Sequence, residues 1–334
     1  MESLKRDVQR VASETGFSGV VQVDDRGDTT LSTPFGFAHR GFEIPNALDT
    51  QFAIASGVKG FTALVIVSLI NDGMLGLDTT ARSLLGDDLP LIANDVTVEH
   101  LLAHTSGIGD YIDEEDDSLS STDYLMVSPV HQLTTTESFM PELEGHETKF
   151  PAGERFSYCN GGFMVLALIA ERASGVGYHD LIAQRVLDPA GLDDTRFLRS
   201  DEASGRMAVG YLARDGLRSN VFHLPVLGNG DGGIYTTATD MHRFWTALDE
   251  GRIVPKTWVA EMTTPRSTVP DESARYGLGF WLAESGPAMS LIGGDAGVSF
   301  TSSHNPTAGT TWTVLSNTPG GTWPMAQLLR DTLG

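Results

Sequence analysis

Residues 56–73, SGVKGFTALVIVSLINDG, place apolar side chains on nearly every face of a helix that opens on a serine and stops at Asn-Asp-Gly. A helix that is hydrophobic all round has no face to give to water, so it belongs at the centre of a core. Lys59, one of only four lysines in the chain, falls inside it. Desolvation there lowers the pKa of an ammonium toward a value useful for proton transfer, each unit corresponding to about 1.4 kcal/mol.

The flanking sequence supplies the layers that would bury such a helix. A short first helix is followed by two β-rich runs, GVVQVDD and TTLSTPFGFAH, separated by an Arg-Gly-Asp turn. Residues 97–104, 161–174 and 178–187 read as helices, the last two closed by Gly175 and Pro189. Strand signals return as YGLGFWLAE, PAMSLIGG, VSFTSSHNP and TTWTVLSN, before a final helix from about Trp323. Strands at both ends with helices between predict an α/β chain of the α+β type. Its central antiparallel sheet is built from the N- and C-terminal segments and flanked by helices, and a mainly helical lobe is inserted. The expected organisation is one domain over 1–334, with an α/β lobe at about 1–75 and 235–334 and a helical lobe at about 76–234. At 334 residues and 40% hydrophobic, the chain is long enough for a large core.

A formal net charge of −22 repels phosphate backbones and anionic headgroups, which argues against nucleic acid and membrane partners. The single cysteine, Cys159, excludes an internal disulfide and a thiolate metal cage. The longest apolar stretch, residues 61–70, is about half a membrane span. The N-terminus lacks a signal-peptide core, so a cytoplasmic location is expected. The acidic run DYIDEEDD, residues 110–117, reads as a solvated loop, with selection of substrate charge as the alternative.

Three short patterns could carry chemistry. Ser56 and Lys59 lie one helical turn apart, so the ammonium reaches the hydroxyl, while the helix N-terminus favours negative charge at the serine oxygen. The same pair would also serve as a cap and a snorkelling lysine. Tyr158-Cys159-Asn160 precedes a helix. A phenol near a lysine can be held partly as phenolate and act as general base, and the Asn amide can orient both the lysine and a substrate carbonyl. The plainer reading is a turn tyrosine with a capping asparagine. Gly293-Gly294-Asp295-Ala296-Gly297 lies between two strands, where a backbone amide can face a reacting carbonyl.

Taken together, Ser56-Gly-Val-Lys59, Tyr158-Cys-Asn160 and the glycine-rich strand resemble the three motifs of the serine β-lactamase and penicillin-binding-protein superfamily. HLLAHTSGI, FPAGERFSYCNGGFMVLALIAERASG, GDGGIYTTATDMHRF, YGLGF and TVLSN resemble, in order, segments of its class C branch, which includes esterases and D-amino-acid peptidases. The resemblance implies a β-lactamase-like fold and acyl transfer through Ser56. Lys59 and Tyr158 would share the proton transfer, and the backbone amides of Ser56 and Gly294 would hold the oxyanion. Asn160, Leu291, Gly293 and Asp295 would contact substrate, with no metal or cofactor. Family members usually carry Lys or His where the alignment puts Leu291. That cation meets a substrate carboxylate, so its loss points to esters, amides or peptides without one. The expected activity is therefore esterase-like, on a small-molecule or peptide-like substrate, with weak or no β-lactamase activity. A cytoplasmic acyltransferase, a D-amino-acid peptidase and a non-catalytic binding protein on the same fold are the alternatives, and the oligomeric state stays open.

Other patterns weigh less. GNGDGG at residues 228–233 satisfies a dinucleotide pattern but lacks a βαβ setting, and the resemblance puts it on a pocket floor. His100 and His104 share a helix face without a third ligand and read as structural. No G-x-S-x-G is present, which disfavours an α/β-hydrolase elbow. Trp245, Tyr276, Trp281 and Trp312 read as core, Tyr276 and Trp281 alternatively as pocket walls.

Overall fold

The computed structural model describes residues 2–115, 124–202, 205–269 and 272–334. The end of the acidic run, residues 116 and 117, lies outside the described residues. The first helix, α1 (Glu2–Thr15), buries Leu4, Val8 and Ala12, a four-residue repeat that makes one apolar stripe. Strands β1 (Gly19–Asp25) and β2 (Asp28–Phe35) form a hairpin across Arg26 and Gly27. Both turn residues have positive φ, the turn whose twist matches a strand pair.

Six further strands complete an eight-stranded antiparallel sheet: β3 (Ser267–Val269), β4 (Ala274–Tyr276), β5 (Trp281–Ala283), β6 (Met289–Asp295), β7 (Val298–Asn305) and β8 (Thr310–Ser316). Their order is β2-β1-β8-β7-β6-β5-β4-β3. The two ends of the chain meet one strand in from the β2 edge, where β1 pairs with β8 from Gly19 opposite Ser316 to Asp25 opposite Thr310. This is the sheet expected from the two ends of the chain. YGLGFWLAE is two strands rather than one, because the Gly277 amide bonds back to Phe280 and turns the chain.

Alternation along the strands sends one set of side chains to each face. Val21, Val23, Trp312 and Val314 face α1 and the last helix, residues 323–333, which contributes Met325 and Leu329. Val20, Phe300, Leu315 and Leu291 face the larger core, whose centre is α2 (Val58–Asn71). Residues 58–69 of α2 are all buried, as their unbroken apolarity requires. Three more helices named here complete the frame: α3 (Val98–Leu102), α4 (Asn160–Ser174) and α5 (Ala238–Glu250). Phe61 of α2 stacks on Phe244 of α5 with ring centroids 4.7 Å apart. The helix from Tyr178 does not stop at Pro189. It continues through a wide turn at residues 183–187 to Ala190 and ends at Gly191, whose left-handed φ of +69° closes it.

Asn317, after β8, ties the sheet to its surroundings. Its amide donates to the carbonyls of Phe37 and Val209, and its oxygen accepts from the Ser18 hydroxyl at 2.8 Å. Replacing Asn317 with Ala leaves those buried groups without partners, and unfolding in urea is expected to show a loss of about 3 kcal/mol. A change below about 0.5 kcal/mol would contradict this role.

Candidate active site

The chain enters α2 through a 3-10 turn, Ala55–Gly57, so Ser56 precedes the α-helix instead of capping it. Ala55 has φ +44°, a left-handed conformation that an alanine adopts only under constraint from its surroundings. One turn on, the Lys59 ammonium is 2% exposed and donates to three acceptors. They are Ser56 Oγ at 2.9 Å, Asn160 Oδ1 at 2.8 Å and the Asp231 carbonyl at 2.8 Å. Burial lowers the Lys59 pKa, against the pull of Asp231, Glu114, Asp110 and Asp295.

Tyr158 enters from the segment before α4. Its hydroxyl is near enough to the Ser56 side chain for the serine to ease its ionisation, and Lys59 Nζ lies 5.0 Å from its ring centroid. Burial and then the Glu114 charge hold the phenol well above its ordinary pKa. The expected phenolate is thus corrected: one ammonium among several carboxylates does not ionise a buried phenol. Cys159 caps α4, its Sγ accepting from the Gly162 amide, so it points away from the reacting groups.

Asn160 is fully committed. Beyond Lys59, its Nδ2 donates to the Ile112 carbonyl and to Glu114 Oε1, both at 3.0 Å, so it orients the lysine and has no idle amide for substrate. The Asp110 carboxylate accepts the Asn160 and Gly161 amides at 2.6 and 2.8 Å, closing the α4 N-terminus. Burial raises the Asp110 pKa to about 7 despite these bonds. The acidic run is thus divided: Asp110 is buried and fixed, whereas Glu114 and Glu115 are exposed, as a solvated loop would have them. Tyr111, which donates to Asp231 Oδ2, and Glu114 line the cavity with Ser56. Sequence reading missed Asp110, Tyr111, Glu114 and Asp231, and the signal available was that run of acids and GNGDGG. The latter forms the cavity floor, pinned to α2 where Lys59 holds the Asp231 carbonyl and the Thr62 hydroxyl donates to that of Gly230 at 2.6 Å.

Strand β6 forms the opposite wall. A Cβ on Gly293 would stand 2.1 Å from the Ile54 carbonyl oxygen and 2.9 Å from the Ser56 nitrogen, so only glycine allows the strand this close. Gly294 and Asp295 line the cavity beside Ser56. Burial raises the Asp295 pKa to about 7, with Asp231 and Glu114 adding to the rise and Lys59 opposing it. Leu291, expected to meet substrate, is instead 2% exposed with its methyl groups against Gly60 of α2, because strand alternation turns it to the core. Trp281 walls a second crevice with Tyr158 and Ile292, whereas Tyr276 is buried. His100 accepts the Thr97 amide in a capping box of α3.

Ser56 thus opens into a cavity of about 280 Å³ whose charged lining among the described residues is Glu114, Asp231 and Asp295, and on its other side borders the second crevice, where Arg155 and Arg330 stand among Glu115, Glu272 and Glu284. The β-lactamase family model matches residues 4–332. The chain belongs to the β-lactamase family. It is 32% identical to a solved penicillin-binding protein from Bacillus halodurans, with a TM-score of 0.91 over 98% of this chain and 100% of that one. It is 30% identical to penicillin-binding protein 4* of Bacillus subtilis (strain 168) over 83% of this chain and 62% of the relative. It is 29% identical to a D-aminopeptidase of Brucella anthropi over 81% of this chain and 50% of the relative. The chain therefore spans about half to three fifths of those two curated relatives. Family membership agrees with the order of the three motifs.

Gly293→Ala is expected to slow fluorophosphonate labelling of Ser56 at least about tenfold and to cost about 1–3 kcal/mol of stability through overpacking. Gly294→Ala, whose methyl would meet only the Trp323 ring at 3.2 Å, is expected to be milder in stability. Labelling rates and thermal melts of the two variants check the order.

Proposed function

We propose that this protein is a serine hydrolase that forms an acyl-enzyme on Ser56 and acts on esters or amides whose acyl group is neutral or cationic. The bond from Lys59 to Ser56, at 2.9 Å, carries the reading. As a neutral amine, Lys59 donates its two hydrogens to Asn160 and the Asp231 carbonyl and turns its lone pair to the Ser56 O–H. The Ser56 oxygen attacks the carbonyl carbon as its proton passes to Lys59. The amides of Ser56 and Gly294 hold the oxyanion between the 3-10 turn and β6. Collapse breaks the bond to the leaving group, which takes a proton through the Tyr158 hydroxyl, with Lys59 making good the loss. Water then adds to the acyl carbon, giving up a proton along the same route, and releases the acid and Ser56.

The cavity charge supports the choice of substrate. Lys59 has spent its donors on neutral acceptors, and Glu114, Asp231 and Asp295 have no cationic partner among the described residues. A substrate carboxylate meets like charge there, and an ammonium meets opposite charge. The D-aminopeptidase relative supports an amide as well as an ester bond for the scissile group.

Ser56→Ala is expected to abolish p-nitrophenyl ester turnover and the acyl adduct in intact-mass spectra, while circular dichroism stays native. Retained turnover contradicts the mechanism. The charge reading has its own test. Asp295 ionises as pH rises through about 7, facing Asp231, Glu114 and Lys59. The ionised form favours a cation, so kcat/KM for an ammonium-bearing ester relative to its uncharged isostere is expected to rise across that range and to shrink with salt. A ratio flat in both pH and salt overturns charge selection and leaves the acyl-enzyme standing.

A further inference from the structure

His104 closes the turn after α3 with φ +54° and is 1% exposed. Its carbonyl accepts the Ser157 amide at 2.9 Å, and its ring Nδ1 accepts the Cys159 amide at 3.1 Å. The two bonds grip the chain at both neighbours of Tyr158. The imidazole also lies on the Tyr158 ring, centroids 4.3 Å apart at 35°, with Phe163 and Tyr276 at 5.0 and 4.9 Å on its other sides. Burial, then the Lys59 charge, holds the ring neutral, so Nδ1 keeps the lone pair that the Cys159 amide needs.

We propose that His104 is a positioning residue that sets the Tyr158 hydroxyl on Ser56, acting through its bond to the Cys159 amide. The proposal rests on the acyl-enzyme reading above, in which Tyr158 passes the proton. Asp110 holds the chain from the Asn160 amide onward, and His104 fixes the two residues that flank Tyr158 itself, with one main-chain and one side-chain acceptor. A displacement of about 1 Å in such a group costs on the order of 100-fold in rate. Phenylalanine would keep the ring and lose the acceptor. Asparagine would place its Oδ1 where Nδ1 stands and tolerates a positive φ.

The test measures acylation rates by intact mass, with kcat and KM on a p-nitrophenyl ester, for His104→Phe and His104→Asn in the wild-type and Tyr158→Phe backgrounds. With Tyr158 present, His104→Phe is expected to lower the acylation rate and kcat about 10- to 100-fold with KM within about twofold, and His104→Asn to recover to within about threefold of wild type. In the Tyr158→Phe background His104→Phe is expected to cost less than about twofold, because the group it positions is gone. Equal losses in both backgrounds, or no loss in either, overturn the proposal, as does a Tyr158→Phe enzyme with wild-type acylation. If His104→Phe does not fold, a folded His104→Asn that loses more than tenfold overturns it and one within threefold upholds it. Turnover surviving Ser56→Ala would instead remove the acyl-enzyme reading, so the two failures are separable.

Discussion

A lysine ammonium buried in an apolar helix is costly unless every hydrogen finds an acceptor, and the three that Lys59 finds come from separate parts of the chain. Ser56 lies one turn before it, Asn160 opens α4, and the Asp231 carbonyl belongs to the glycine-rich floor. Satisfying one charge therefore brings α2, α4 and the segment before α5 to one point. The reverse also holds: moving any of the three leaves the ammonium unpartnered and unsettles the nucleophile. The strain at Ala55 and the close approach of Gly293 sit on the same junction, where α2 and β6 meet.

The charges around this junction set its chemistry as much as the motif residues do. Four carboxyls, from Asp110, Glu114, Asp231 and Asp295, act on one lysine. Burial pulls the lysine pKa down while those carboxyls pull it up, so the amine is reachable without a second cation nearby. Burial, and after it the charges of Glu114, Asp231 and Asp110, keep the Tyr158 phenol protonated. Proton acceptance then falls to Lys59 and proton passage to Tyr158, a division that follows from local charge balance.

Much of this was legible in sequence for identifiable reasons. α2 announced itself because twelve adjacent buried positions interrupt their apolar run only at Lys59, Thr62 and Ser68, and β1 and β8 because β-branched residues crowd two strands covered on both faces. Ser56 and Lys59 were legible because one helical turn fixes their distance whatever else folds around them. What escaped depended on contacts remote in sequence. Nothing local in DYIDEEDD says that Asp110 caps a helix 50 residues on, and the phenol's charge state is a sum over side chains from several segments. Leu291 was misplaced because its register position was legible, whereas which face of β6 meets α2 was not.

Leu291 shows how a changed motif residue can be absorbed by the fold. Its methyl groups lie where a Cβ on Gly60 would come within 2.4 Å, so β6 is seated on α2 through apolar contact at the residue next to the nucleophile's lysine. A cation at that position would be turned against α2 beside Lys59 and make the protonated form of that lysine dearer. With leucine, the lysine's field is answered only by carboxyls, and the cavity keeps its negative sign.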